Sequence, residues 1–193
     1  VVSEMRAKGV APDVVTFGNL VSVHARSKDF VKAWNALQHM LAEGAAPDVW
    51  IFNKLLDVCR SNEERKRVLA EMDFRCVAPD VATFTMVLGA CGSDEERRGV
   101  LAQMQVRGVR PDVVAFNAWL AACRSDEERE TVLAEMEAGG VSPDVATFTI
   151  LLGACRSDWE RADILADMEA QGVRPDVVTF NAWLAACRSD EER

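Results

Sequence analysis

The chain is 193 residues long and sets 22 Lys and Arg against 31 Asp and Glu, a formal net charge of −9. At 49% apolar and 27% charged it has the composition of a folded chain, and no apolar run approaches the roughly 20 residues of a membrane-spanning helix, which excludes insertion by that route. The acidic balance argues against non-specific polyanion binding through bulk charge, because such affinity rests on Lys and Arg neutralising phosphates.

From the N-terminus onward the chain repeats itself. Pro-Asp recurs at Pro12-Asp13, Pro47-Asp48, Pro79-Asp80, Pro111-Asp112, Pro143-Asp144 and Pro175-Asp176, first after 35 residues and then every 32. Phe17, Phe52, Phe84, Phe116, Phe148 and Phe180 keep the same step, as do Met40, Met72, Met104, Met136 and Met168. Residues 1–13 read as the second half of a preceding repeat, followed by repeats at 14–48, 49–80, 81–112, 113–144 and 145–176. Residues 177–193 read as the first half of a sixth, so the array is expected to be truncated at both ends. Val113 to Arg129 matches Val177 to Arg193 except for Ala115 against Thr179, so adjacent repeats alternate in type with a period of 64.

Each repeat predicts two helices. Asp144 can cap a first helix whose Phe148, Leu152 and Cys155 share a face at i, i+4, i+7. Ser157 and Glu160 then form a capping box that opens a second helix, and Ser61 with Glu64, Ser93 with Glu96, Ser125 with Glu128 and Ser189 with Glu192 repeat it. The second helix turns Leu165 and Met168 inward and stops near Gly172, ahead of Pro175. Gly44, Gly108 and Gly140 hold the same place, but Cys76 replaces glycine there, at a cost of about 1 kcal/mol if the left-handed cap is kept. One helix pair cannot bury its apolar faces alone. The fold class is therefore all-α: an α-solenoid, a right-handed superhelix of tandem helix-turn-helix repeats whose concave surface is lined by one helix of each pair.

The segment Val-Val-Thr-Phe-Asn-Ala-Trp-Leu-Ala-Ala-Cys-Arg (Val177 to Arg188), together with second helices that end in Leu-Ala-Glu-Met before Gly-Val-x-Pro-Asp, resembles the pentatricopeptide repeat. The repeat at Val14 to Asp48 has that family's usual 35 residues, and the later ones resemble short variants that have lost three residues in the turn between helices. The resemblance implies recognition of single-stranded RNA, in mitochondria or plastids, in RNA processing, stability or translation, with other protein subunits of a ribonucleoprotein as further partners.

By the same resemblance a base is read by the residue after the first-helix aromatic together with the Asp closing the repeat. Carried over, the pairs are Gly18 with Asp48, Asn53 with Asp80, Thr85 with Asp112, Asn117 with Asp144 and Thr149 with Asp176, while Asn181 has no partner within the sequence. Asn with Asp implies uracil and Thr with Asp implies guanine, giving 5′-U-G-U-G-3′, with the Gly18 repeat unselective for want of a side chain. Such reading is chemically sound, since splayed single-stranded bases can be held between side chains and hydrogen-bonded on their edges, and an amide offers both a donor and an acceptor. The flanking residues expected to sandwich bases are Val15, Trp50, Ala82, Val114, Ala146 and Val178. Stacking on Trp50 would contribute ~1–3 kcal/mol.

Arg26, Arg60, Arg124, Arg156 and Arg188 end the first helices, near the place where the family carries a phosphate-contacting Lys; cations there also relieve the helix macrodipole. A second column, Arg65, Arg97, Arg129, Arg161 and Arg193, sits in the Asp-Glu-Glu-Arg stretches and is expected to pair with neighbouring acids on a solvated face. Cys59, Cys91, Cys123, Cys155 and Cys187 share one repeat position, spaced by about a helix diameter of ~10 Å, beyond disulfide reach, and are expected to be core thiols. The Met and Phe columns are expected to be core, and Trp119 and Trp183 packing residues. Trp159, set among acids, is expected to be exposed and to mark a protein contact.

Neither a phosphate-cradling Gly loop, a zinc-binding spacing nor a nucleophile-and-base set is present. No enzymatic activity, cofactor, metal or small-molecule substrate is therefore expected. The rival to RNA binding is a protein-binding scaffold or structural subunit of an organellar complex, and the placement of the carboxylates relative to the groove separates the two.

Overall fold

The computed structural model describes the backbone of residues 2–191 and the side chains of residues 2–185. The side chains of Cys187, Arg188 and Ser189, with Glu192 and Arg193, lie outside the described residues. The helices in chain order are α1 (Val2–Ala7), α2 (Val14–Arg26), α3 (Phe30–Ala42), α4 (Val49–Leu56), α5 (Asn62–Phe74), α6 (Val81–Gly89), α7 (Asp94–Val106), α8 (Val113–Ala122), α9 (Asp126–Ala138), α10 (Val145–Ala154), α11 (Asp158–Ala170) and α12 (Val177–Glu191). No strand occurs among the described residues, and no helix there is long and apolar enough to cross a membrane.

The helix starts follow from the sequence. Each closing Asp accepts the backbone N–H three residues on: Thr16 N to Asp13 at 2.7 Å, Ile51 N to Asp48 at 3.0 Å, Thr83 N to Asp80 at 2.8 Å, Ala115 N to Asp112 at 2.8 Å, Thr147 N to Asp144 at 2.9 Å and Thr179 N to Asp176 at 2.9 Å. The second helices open on Ser61, Ser93, Ser125 and Ser157, whose hydroxyls accept from the N–H of Glu64, Glu96, Glu128 and Glu160. The glutamates reach back one residue further than a simple box, accepting the N–H of Arg60, Gly92, Arg124 and Arg156 at 2.6–2.9 Å. These four carboxylates are thereby occupied with free N–H groups in the first turns of the second helices.

The chain divides into two compact units, Val1–Val87 and Leu88–Arg193. In the first, α2 packs on α3 and α4, and α4 on α5, around Phe17, Val21, Leu37, Met40, Phe52, Leu55 and Met72. In the second, α8 packs on α9 and α10, and α10 on α11 and α12. Its core joins Phe116, Trp119, Leu120, Val132, Met136, Phe148, Leu151 and Met168, with Phe116 and Trp119 stacked at a centroid separation of 6.4 Å. All five column methionines are fully buried, each such side chain contributing about 1.5–3 kcal/mol. Phe180 departs from its column at 49% exposed, because α12 has α10 on one side and no helix beyond it among the described residues.

The three residues missing from the short repeats are not lost from the turn. The second helices α3, α5, α7, α9 and α11 all keep 13 residues, whereas the first helix falls from 13 in α2 to between 8 and 10 in α4, α6, α8 and α10. The loss removes the last turn of the first helix. Cys123 and Cys155 end α8 and α10 in extended conformation, ψ 142° in both.

The second Arg column fills the vacated space, contrary to the expectation of a solvated face. Arg97 is 2% and Arg161 1% exposed. Arg97 Nη2 donates to the carbonyls of Cys91 at 3.1 Å and Ala122 at 3.0 Å, and Arg161 Nη2 to that of Cys155 at 3.2 Å, while its Nη1 meets Asp158 at 2.8 Å. These carbonyls have lost their intrahelical partners with the missing turn, and the guanidinium replaces them. In the 35-residue repeat the same position is Ala33, fully buried against the longer α2. Arg129 pairs with Asp126 and is less enclosed, and Arg65 is half-buried.

The second helices close on left-handed caps, at Gly44, Gly108, Gly140 and Gly172 with φ between 67° and 74°. Cys76 keeps the conformation at φ 56°, and Val77 N donates to Met72 O at 2.9 Å, as Val109 does to Met104. Cys59, Cys91, Cys123 and Cys155 are free thiols at the rim of the core rather than inside it. Sγ of Cys59, Cys123 and Cys155 donates to the carbonyl four residues back, and burial raises their pKa, that of Cys59 to about 12.

Candidate nucleic-acid interface

Neighbouring first helices within each unit lie side by side, and this brings Asn53 and Asn117 close to the next repeat's cap. Asn53, on α4, donates from Nδ2 to Asp80 Oδ1 at 3.2 Å, and Asn117, on α8, to Asp144 Oδ1 at 3.0 Å. The structure thus brings together two of the pairs carried over from the sequence. A third member was not foreseen: Thr83 Oγ1 lies 2.6 Å from Asn53 Oδ1, and Thr147 Oγ1 2.6 Å from Asn117 Oδ1. Both asparagines are only 9% exposed.

The carboxylates remain ionised at neutral pH. Burial by itself raises the pKa of Asp80 and Asp144, but hydrogen bonds from the Thr backbone N–H and from the Asn amide outweigh it and hold both below the usual carboxylate range. Asp176 is likewise lowered, by the backbone and hydroxyl of Thr179.

The threonine readers behave differently. Thr85 and Thr149 turn their hydroxyls back to their own helices, donating to the carbonyls of Val81 at 2.8 Å and Val145 at 2.7 Å. The carboxylate of Asp176 takes up Thr179, and Asp112 caps α8. Asn181 stands exposed on α12. At Gly18, buried beneath the next helix, an added Cβ would lie 3.2 Å from Trp50 Cζ3, so the indole covers the place where a reader side chain would emerge. Trp50 is nonetheless 47% exposed, with Lys54 Nζ 5.7 Å from its ring centroid.

The residues expected to flank bases, Val15, Trp50, Ala82, Val114, Ala146 and Val178, are all exposed. Arg26, Arg60, Arg124 and Arg156 are exposed at or just beyond the ends of their first helices, Arg60 with its Nη2 on the carbonyl of Lys28 at 2.6 Å. Among the described residues no three His, Cys, Asp or Glu side chains gather as metal ligands would.

The model of the pentatricopeptide repeat domain matches residues 1–62, 99–157 and 163–192. The chain belongs to the pentatricopeptide repeat family. Among solved structures it is similar to the pentatricopeptide repeat protein PPR10 in complex with an 18-nt psaJ RNA element, at 29% identity and a TM-score of 0.69 over 92% of this chain. It is also similar to PPR10 from maize, at 26% identity and a TM-score of 0.67 over 96% of this chain. It spans about a quarter of the length of PPR10, 26% and 28% in the two structures. The PPR domain of Arabidopsis thaliana protein-only RNase P 1 in complex with tRNA shares the fold at 18% identity, with a TM-score of 0.61 over 91% of this chain and 98% of that one. No curated protein matches the chain in sequence.

Proposed function

We propose that this pentatricopeptide array binds single-stranded RNA one base per repeat, reading a core 5′-U-G-U-G-3′ through Asn53 with Asp80, Thr85 with Asp112, Asn117 with Asp144 and Thr149 with Asp176. The observation that carries the reading is the Asn–Asp contact at 3.0–3.2 Å, which, with a Thr hydroxyl on the amide oxygen, leaves each amide one N–H and one carbonyl lone pair for a base edge. Exposed side chains at Val114, Ala146 and Val178 flank these positions as a sandwich requires, and exposed Arg26, Arg60, Arg124 and Arg156, with Arg188 by its sequence position alone, supply phosphate contacts. That PPR10 is similar and holds an RNA element adds weight. The role is non-enzymatic, in organellar RNA processing, stability or translation within a mitochondrion or plastid.

A second reading, a protein-binding scaffold, draws on Trp159, which stands 71% exposed in the first turn of α11. Titration of the chain with a UGUG-containing RNA and a scrambled control, at several salt concentrations, separates the two. RNA reading requires tighter, salt-dependent binding of UGUG. Equal and salt-insensitive weakness for both RNAs would leave the scaffold.

A further inference from the structure

We infer that Thr83 and Thr147 are positioning residues that fix the amide planes of Asn53 and Asn117 and thereby set which pyrimidine these repeats select; this rests on the base reading proposed above. Counting donors and acceptors gives one consistent arrangement. The Thr147 hydroxyl oxygen accepts the N–H of Asp144 at 3.1 Å, leaving its single proton for Asn117 Oδ1 at 2.6 Å or Asp144 Oδ1 at 3.0 Å. Asp144 Oδ1 already accepts Thr147 N at 2.9 Å and Asn117 Nδ2 at 3.0 Å, which fills its two lone pairs. The proton therefore goes to the amide carbonyl. At Thr83 the same atoms lie at 3.2, 2.6, 2.8, 2.8 and 3.2 Å.

The amide is thus held at both ends, its nitrogen by the carboxylate and its oxygen by the hydroxyl. The free N–H and the free lone pair point in fixed directions. Uracil offers a ring N–H beside carbonyls, whereas cytosine offers a ring acceptor beside an amino group, so discrimination between them depends on which amide atom meets which edge atom. With the hydroxyl removed, one bond to Asp144 remains as a hinge and the carbonyl end is released.

The molecule contains its own controls. Thr16 makes the same capping box with Asp13, with Thr16 N at 2.7 Å and no asparagine in it. Thr179 repeats the box with Asp176 but faces Thr149, at 3.4 Å between hydroxyls. Losing the box is therefore separable from losing the lock.

The experiment measures affinity of the full chain for UGUG RNAs that carry U, C or G as the third base, the base assigned to Asn117. Thr147→Val is expected to cut the preference for U over C there by about fivefold, the factor a net hydrogen bond commonly supplies, and to leave the first-base preference set by Asn53 intact. Thr147→Ser should retain the preference, and Thr179→Val, which loses a box but no asparagine contact, should leave it unchanged. If Thr147→Val keeps the third-base preference while Asn117→Thr moves it to G, base reading stands and the lock is refuted. If neither variant moves it, the base reading itself fails and the inference falls with it.

Discussion

Cys76 occupies a left-handed cap at φ 56° that every other short repeat gives to glycine. A Cβ in that conformation costs about 1 kcal/mol, and Cys76 is exposed. Cys76→Gly should therefore stabilise the chain by about 1 kcal/mol, read as a higher denaturant midpoint with an unchanged slope. Both the position and its strain were legible in the sequence, because the cap belongs to a column and one residue interrupts it. The hydroxyl of Thr147 was not. Its partner Asn117 lies 30 residues away, and no local periodicity marks a contact that crosses from one repeat to the next. The only available signal was the 64-residue alternation, in which each of Asn53 and Asn117 is followed in the next repeat by a threonine just before the aromatic.

At the level of the element, the decisive device is the exchange of a helical turn for a guanidinium. The sequence showed that three residues were missing, but Arg97 in a run of acids reads as a surface cation. Only the packing reveals that α6 and α8 end early and that Cys91 and Ala122 present carbonyls to be filled. Desolvating the charge is costly, and the carbonyls offset it; removing the guanidinium takes away the donor that both carbonyls share. Arg97→Met is expected to destabilise the chain by about 2–4 kcal/mol in denaturant unfolding. Arg98→Met, on the exposed side of the same helix, should stay within about 0.5 kcal/mol. Equal effects would mean that Arg97 does not replace the lost turn.

For the molecule as a whole, the net charge of −9 looked like the main objection to RNA binding. Six of the 31 acidic side chains are held by the fold: Glu64, Glu96, Glu128 and Glu160 accept backbone N–H groups in the first turns of α5, α7, α9 and α11, while Asp80 and Asp144 are tied into the reading positions. These carboxylates are committed to the fold, so bulk charge is a poor guide to what the first helices can bind. Repeat architecture, helix order and the buried Phe and Met columns were readable from periodicity, which is a one-dimensional property. The burial of Arg97 and Arg161 and the locking of the asparagines were not, since they depend on which repeat ends meet in space. In the proposed function one residue pair chooses one base. The most direct measurement of this is the affinity of the wild-type chain and of Asn117→Thr for 5′-UGUG-3′ and 5′-UGGG-3′ RNAs. The wild type is expected to favour the first and the variant the second, with folding retained; an unchanged preference in a folded variant would contradict base reading by this pair.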